Sequence, residues 1–366
     1  MFLPVKPAEC SEILYRLIKM VETILEYSVK TLIQELNFDE LTKLVEADLA
    51  VLLECRKIKM AIEALFQLPY LERTEALWAF CNDVEFEGHM DDKNYQLHQR
   101  PIRGCGSGAY MEVLNQLCNE LYDAVDVKKG IVMSEIQRDG KKVKVPFNIR
   151  LLKEQYQREN GENGCVCPVC VRDNLFDLGE GQADHYFSRK KFPALAFHPF
   201  NLLPVCSDCN GALKGAKNPI DSADIGPGEL RTVFLPYVRP GKNEIEFGVS
   251  EDFERHIVMK KGPNGDSYTE KRIKNMERLF NLGKRWSREL NYVYDDLLAE
   301  LNRESGRGKN REERLADLRR ILGDHANSTK DRKDFVKGLY CAWLQTKTDI
   351  ELLELFQNLK FVNQST

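Results

Sequence analysis

Four cysteines in two Cys-x-x-Cys pairs form the most specific chemical pattern in this sequence of 366 residues. The pairs are Cys167/Cys170 and Cys206/Cys209. Zinc prefers four tetrahedral sulfur or nitrogen ligands, and a two-residue gap lets both thiols of a turn reach one ion, so the pairs predict a single closed Zn²⁺ site. Because no coordination position stays open, this zinc would be structural. Cys165 is close enough to compete, but the Cys167/Cys170 spacing fits better and we interpret Cys165 as a bystander.

Polar residues that suit phosphodiester hydrolysis lie between the cysteine pairs and directly after the second pair. Asp184-His185 is followed, after fifteen intervening residues, by Asn201, and Asn210 comes directly after the last cysteine. Hydrolysis of a phosphodiester needs an activated water and a cation beside the phosphate oxygens. His185 is the best candidate for the general base, because imidazole titrates near neutral pH.

Taken with the cysteines, these residues resemble the HNH endonuclease family, which has the ββα-metal fold, in its subtype with a four-cysteine zinc site. The resemblance covers residues 165–217, and this chain is an H-N-N variant because Asn210 stands where the family has its last His. It implies that His185 activates water and that Asn201 holds the loop that orients His185. It also implies that Asp184 and Asn210 bind a catalytic Mg²⁺ or Mn²⁺, ions that favour carboxylate and amide oxygens.

One alternative role and one geometric condition stay open for the residues of this motif. Asn201 by itself is typical of a loop asparagine that bonds local backbone. Asp184 and His185 would point to opposite sides of an extended strand, so a turn, a bulge or a strand end is needed for both to face one phosphate.

Basic residues follow the Asp-His dipeptide in a chain that is acidic overall. The formal net charge is -4 and the pI is about 6.0, which argues against a protein that coats nucleic acid through bulk charge. Locally, residues 184–217 carry an excess of Lys and Arg. We predict that these side chains contact DNA phosphates, although Lys214 and Lys217 also fit the solvated face of a helix. The predicted contacts are Arg189, Lys190, Lys191, Lys214 and Lys217.

The surrounding sequence predicts a mainly α protein with a small α+β insert, in which a central ββα-metal module is flanked by helical regions. An apolar stripe over residues 13–25 predicts the first helix, with a break and cap at Asn37, and a second helix is predicted from 41 towards 62. We divide the chain into an N-terminal helical region (1–126), a hairpin with a connecting helix (127–160), the nuclease module (161–220), and short strands followed by helices (221–366).

Three local patterns refine these flanks. Asp139-Gly140 predicts the turn of a hairpin. Strands are predicted at 231–237, 243–249 and 256–261, where they could extend the sheet of the nuclease module. A long helix is predicted over 269–302, with a bend at 281–283.

The expected function is metal-dependent cleavage of DNA, as a nuclease effector in a phage-defence or restriction-type system, with a co-encoded ATPase or other regulatory subunit as a candidate partner. The alternative is a non-catalytic zinc module that binds nucleic acid or protein. Eleven cysteines, an odd number, and no recognisable signal peptide or membrane-length apolar run favour a cytoplasmic protein without a membrane partner.

Overall fold

The computed structural model describes residues 3–31, 36–99, 108–126, 132–171, 182–215, 217–220, 229–250, 256–304, 310–326 and 332–356. These parts of the chain contain eleven α-helices and three separate two-stranded antiparallel sheets. The prediction of a mainly α protein with small β elements is therefore confirmed. Within the same residues, every helix is too short or too polar to cross a membrane.

Five helices form the N-terminal part of the described chain. The predicted stripe over 13–25 is buried in α1 (Glu12–Lys30), and the Asn37 side chain accepts hydrogen bonds from the amides of Asp39 and Glu40 at the start of α2 (Phe38–Leu44). The single helix predicted from 41 to 62 is wrong, because α2 ends at Leu44. In the loop that follows, Glu46 and Asp48 pair with Arg16 of α1. The helices are α1 (Glu12–Lys30), α2 (Phe38–Leu44), α3 (Arg56–Phe66), α4 (Tyr70–Val84) and α5 (Ala109–Asp126).

A hairpin and a long helix lead to the first cysteine pair. Strands β1 (Met133–Arg138) and β2 (Lys141–Pro146) pair antiparallel, as predicted, and the turn residues Asp139 and Gly140 have φ angles of 51° and 76°. Helix α6 (Ile149–Cys165) follows and is kinked at Gly161, where φ is 53°. The chain therefore enters the cysteine region directly from a helix.

A short hairpin followed by a helical segment occupies the centre of the sequence. Strands β3 (Gln182–His185) and β4 (Leu202–Val205) pair antiparallel, with Asp184 opposite Leu203. A π-helix, Asp208–Lys214, follows β4, and Gly215 is its C-cap residue. The order in this part of the chain is thus strand, strand, helix.

The C-terminal part contains a third hairpin and five helices. The predicted strand at 231–237 is wrong: this segment holds a 3₁₀ turn, Leu230–Thr232, and then a tight turn in which Leu235 and Arg239 exchange backbone hydrogen bonds of 3.0 and 2.7 Å. Strands β5 (Ile245–Val249) and β6 (Ile257–Lys261) pair with each other, and within the described residues they do not extend the β3–β4 sheet as predicted. The elements are β5 (Ile245–Val249), β6 (Ile257–Lys261), α7 (Thr269–Phe280), α8 (Leu282–Glu304), α9 (Arg311–His325), α10 (Arg332–Gln345) and α11 (Asp349–Leu355).

The predicted bend in the long C-terminal helix is confirmed at Asn281. This residue has a left-handed backbone (φ 50°) and separates α7 from α8. Asparagine tolerates this conformation better than most residues do. The bend lets two different helices reach the region of the central hairpin.

The β3–β4 hairpin is packed between the N-terminal and C-terminal helices. Phe187, just after β3, makes an edge contact with Phe86, with ring centroids 5.5 Å apart. On the other side, the Trp286 indole of α8 donates to the carbonyl oxygen of Cys170 (3.2 Å), and Asn275 of α7 donates to that of Pro219 (2.6 Å). One continuous hydrophobic core links these parts of the chain.

Two glycines, one in the π-helix and one directly after it, provide a matched test of the backbone conformation at the end of that helix. Gly215 has a φ of 48°, and a Cβ there would lie 3.2 Å from the carbonyl oxygen of Gly211. Gly211 has open space around its Cβ position. We expect Gly215→Ala to lower the free energy of unfolding by about 1–2 kcal/mol, measured by urea denaturation, because an L side chain is strained at that angle. Gly211→Ala, the control, should leave stability unchanged or raise it by about 0.5 kcal/mol, and equal losses in both variants would contradict the backbone assigned to Gly215.

Candidate functional site

The four cysteines of the two pairs meet in one buried cluster. All four Sγ atoms lie within 4.8 Å of one another, and those of Cys170 and Cys206 are 3.6 Å apart. Zinc–sulfur bonds of about 2.3 Å in a tetrahedron place the sulfurs roughly 3.8 Å apart, so the donor set and its spacing both fit a zinc-like ion. The clustering predicted from the sequence is therefore confirmed, and these residues can hold a metal ion.

Local backbone turns bring each cysteine pair to this cluster. The Val171 amide donates to the carbonyl oxygen of Cys167 (2.8 Å), and Val171 adopts a φ of 59°, which closes the first turn. The Asn210 amide donates to the carbonyl oxygen of Cys206 (3.1 Å), where β4 leads into the π-helix. The cluster thus joins the end of α6 to the end of the hairpin.

Helix α8 supplies a positive charge beside the sulfurs. Arg285 Nη1 lies 3.3 Å from the Sγ of Cys209, and Arg285 Nη2 lies 3.5 Å from the Asp208 carboxylate. Four thiolates around one divalent ion leave two excess negative charges, so a guanidinium at this position would stabilise the loaded cluster. The sequence contains no local signal for this contact, because Arg285 belongs to a distant helix.

His185 is the last residue of β3, and its ring is held by two contacts. Because a carbonyl oxygen can only accept, Nε2–H donates to the Ala196 carbonyl oxygen at 2.7 Å. The Tyr122 ring of α5 packs edge-on against the imidazole, with centroids 4.7 Å apart. Burial, opposed by the Ala196 hydrogen bond, lowers the pKa of His185 to about 4. The ring is therefore neutral at pH 7, and among the described residues its Nδ1 has no hydrogen-bond partner.

Asn201 is fully buried and holds both ends of the loop that connects β3 to β4. Its Oδ1 accepts from the Phe187 amide (2.7 Å), while Nδ2 donates to the carbonyl oxygens of Phe187 (3.0 Å) and Leu195 (2.7 Å). Leu195 directly precedes Ala196, whose carbonyl oxygen orients His185. Asn201 is therefore placed where it can fix the loop that positions the imidazole.

Asp184 points away from His185, towards the π-helix, as strand alternation requires. Its Oδ1 lies 2.8 Å from Lys214 Nζ, and both side chains are buried. Burial raises the pKa of Asp184, and the Lys214 ammonium opposes that rise. Asn210 donates to Gln182 Oε1 (2.7 Å), and among the described residues no hydrogen bond joins Asn210 to Asp184 or either of them to the His185 ring. The predicted metal ligands and base thus lie in one small element without hydrogen bonds between them.

The residues predicted to bind phosphate occupy different environments. Arg189 Nη1 pairs with Asp123 (2.7 Å), and its guanidinium stacks on Tyr122 at 4.7 Å from the ring centroid. Lys190 is exposed, and Lys191 is partly buried. Lys217 is exposed and donates to the carbonyl oxygen of Arg278 (3.2 Å). Their contact with DNA stays a prediction, as does that of the buried Lys214.

Several contacts of the site could not be identified from the sequence. Tyr122 and Asp123 contact His185 and Arg189 from α5, and Lys214, which the sequence predicts as a phosphate contact, is the partner of Asp184. His198 is also buried, and it donates through Nε2 to the carbonyl oxygen of Val84 (3.0 Å), which joins the loop to α4. These contacts connect distant parts of the chain.

Comparisons of the chain with protein-family models, with curated proteins and with solved structures found no match.

The cysteine cluster predicts which thiols determine the metal content. We expect about one zinc per chain for the purified wild-type protein, and almost none for Cys206→Ser, measured by elemental analysis after gel filtration, because a neutral hydroxyl replaces one ligand. Cys165→Ser is the matched control: Cys165 is exposed and lies outside the cluster, so that variant should keep its zinc. Loss of zinc from Cys165→Ser, or full zinc in Cys206→Ser, would contradict the ligand set.

The buried hydrogen bonds of Asn201 predict a large loss of stability when they are removed. Asn201→Ala leaves backbone groups of Phe187 and Leu195 without partners, which should lower the free energy of unfolding by about 3 kcal/mol in urea denaturation. Asn119→Ala is the control, since the Asn119 side chain, within the described part of the chain, donates its hydrogen bonds to Asn115 in the same helix. That variant should stay within about 0.5 kcal/mol of wild type. Similar losses for both asparagines would show that Asn201 does not hold the loop.

Proposed function

We propose that this chain is an HNH-type endonuclease that hydrolyses phosphodiester bonds of DNA with the help of a divalent metal ion. The observation that carries the proposal is the strand–strand–helix element fastened by the cysteine cluster, with His185 at the end of its first strand and its ring oriented by Ala196. In this proposal the ββα-metal module spans the cysteine pairs and the cluster holds a structural Zn²⁺.

His185 would act as the general base through Nδ1. Because Nε2 donates to the Ala196 carbonyl oxygen, the proton of the neutral ring stays on Nε2 and the Nδ1 lone pair is left to take a proton from water. A neutral ring at pH 7 is the form that a base requires. An approaching phosphate would favour the protonated ring and so strengthen the base during the reaction.

Asn201 and Tyr122 would act as positioning residues for this base. Asn201 fixes the backbone on both sides of the hairpin loop, including the carbonyl oxygen next to Ala196. Tyr122 packs against the imidazole from α5 and restricts its rotation. A base held in one orientation loses little entropy when water and phosphate bind.

The donor chemistry of Asp184 and Asn210 fits a hard divalent ion such as Mg²⁺ or Mn²⁺. When bound there, such an ion would stabilise the negative charge that develops on the phosphate and leaving oxygens. Asn210 contacts Gln182, and Gln182 shares one strand face with Asp184 because the two are two residues apart. In the described arrangement the cation beside Asp184 is Lys214.

Basic side chains near the hairpin would hold the DNA backbone. Lys190 and Lys217 are exposed, and Arg189 lies beside the ring that contacts His185. Arginine and lysine contacts to phosphate position a duplex without reading its sequence. We therefore propose DNA cleavage without assigning a sequence preference.

A second candidate function is a non-catalytic zinc module that binds nucleic acid or protein. The buried ion pair between Asp184 and Lys214 favours this alternative, because it occupies the carboxylate that the nuclease needs.

For the nuclease, we propose as the biological setting a phage-defence or restriction-type system in which a co-encoded ATPase controls the enzyme. The cleavage assay must therefore be run with and without that ATPase.

The nuclease proposal predicts a specific loss of DNA cleavage when the base is removed. Wild-type protein should nick supercoiled plasmid with Mg²⁺ or Mn²⁺, either alone or with the ATPase, and His185→Ala should cleave at least about 100-fold more slowly because proton abstraction is lost. His89→Ala is the matched control: His89 stacks on Tyr95, outside the hairpin, and its variant should cleave normally. Binding of DNA without cleavage in every condition would favour the non-catalytic module.

A further inference from the structure

Lys214 makes two short contacts at the site proposed for the divalent ion. Its Nζ donates to Asp184 Oδ1 and to the carbonyl oxygen of His185, each at 2.8 Å. Lys214 is 2% exposed and Asp184 is 4% exposed, so water does not screen this pair. The ammonium therefore contacts both the proposed metal ligand and the backbone of the proposed base.

The placement of Lys214 follows from the way the π-helix lies across β3. Asn210 and Lys214 are in the same π-helix, and they contact Gln182 and Asp184, which share one face of the strand. The two bridges have similar lengths, 2.7 and 2.8 Å. The π-helix thus places Lys214 beside the Asp184 carboxylate and Asn210 beside Gln182 on the same strand face.

An ammonium and a divalent ion would compete for the one carboxylate of Asp184. A buried carboxylate is costly without a counter-charge, and Lys214 supplies it. A divalent ion on Oδ1 would lie about 2.1 Å from that oxygen, so it would repel an ammonium that stays within hydrogen-bond distance of the same atom. On either carboxylate oxygen, the ion would therefore weaken the contact between Asp184 and Lys214.

We propose that Lys214 is a built-in competitor of the catalytic divalent ion, which holds Asp184 in the metal-free protein and has to leave the carboxylate when the ion binds. This inference rests on the proposed function, in which Asp184 is a metal ligand. It assigns to Lys214 the regulation of metal loading. Removing the ammonium should therefore tighten metal binding, even though it removes a stabilising ion pair.

The first test measures Mn²⁺ binding to zinc-loaded protein by the electron paramagnetic resonance signal of free Mn²⁺. Lys214→Met keeps an unbranched chain and removes the charge, and we expect it to bind Mn²⁺ at least tenfold more tightly than wild type. Its melting temperature should be lower than that of wild type without Mn²⁺ and should rise more than that of wild type when Mn²⁺ is added. Equal or weaker binding by a folded Lys214→Met protein would overturn the proposal.

A double variant controls for the fold and for the site. Asp184→Asn combined with Lys214→Met removes both charges, so the protein should fold without Mn²⁺ and should have lost the tight binding. If the double variant binds Mn²⁺ as tightly as Lys214→Met, the ion does not use Asp184 and the proposal is wrong.

The second test uses the wild-type protein and needs no variant to fold. Amine acetylation followed by mass spectrometry should show Lys214 protected without Mn²⁺ and modified several-fold faster with it, because the ammonium leaves its buried pair. The exposed Lys217 is the internal control, and its rate should not change.

The outcomes separate this inference from the nuclease proposal. DNA cleavage with Mn²⁺ while Lys214 stays protected would overturn the competitor role and leave the nuclease standing. Mn²⁺-dependent release of Lys214 in a protein that cleaves no DNA, alone or with the ATPase, would support the competitor role at a metal site and count against the nuclease.

Discussion

The structure of the central element depends on the meeting of four thiols from two distant turns. Each strand of the β3–β4 hairpin has only four residues, and an isolated two-stranded hairpin of that size is not stable in water. The cysteine cluster fastens the end of α6 to the start of the π-helix, on either side of this hairpin. A metal ion bound there would contribute its binding energy to the fold, since unfolded chains rarely hold a preformed site.

A second constraint is the burial of polar side chains in the loop between the two strands. Asn201 bonds the loop to itself, and His198 bonds it to α4. Both side chains are fully buried, so their hydrogen bonds must be kept for the loop to stay folded. The same loop provides the Ala196 carbonyl oxygen that holds His185. The position of the His185 ring therefore depends on the buried hydrogen bonds of this loop and on its packing against α4 and α5.

The parts of this architecture that were predictable have local causes. The Cys-x-x-Cys spacing, the Asp139-Gly140 turn, the Asn37 cap and the Asn281 break each depend on a few adjacent residues. The segment at 231–237 misled the prediction, because its apolar residues are buried by turns and not by strand pairing. The contacts of Tyr122, Arg285 and Lys214 could not be predicted, because they join elements that are far apart in the sequence. Which lysine meets a carboxylate depends on how the π-helix crosses β3.

The pairing of Lys214 with Asp184 also determines the charge that a divalent ion would meet at the proposed site. Together the ammonium and the carboxylate carry no net charge, and an amide adds none, so a divalent ion would meet no attraction from this set until Lys214 moves. A DNA phosphate would bring negative charge to the same place and would offer the released ammonium a partner. Metal and substrate would then each raise the affinity for the other, because linkage between two binding sites is reciprocal. Under the proposed function, the substrate would supply the negative charge that Asp184 does not offer while Lys214 holds it, and the buried lysine would restrict metal loading in its absence.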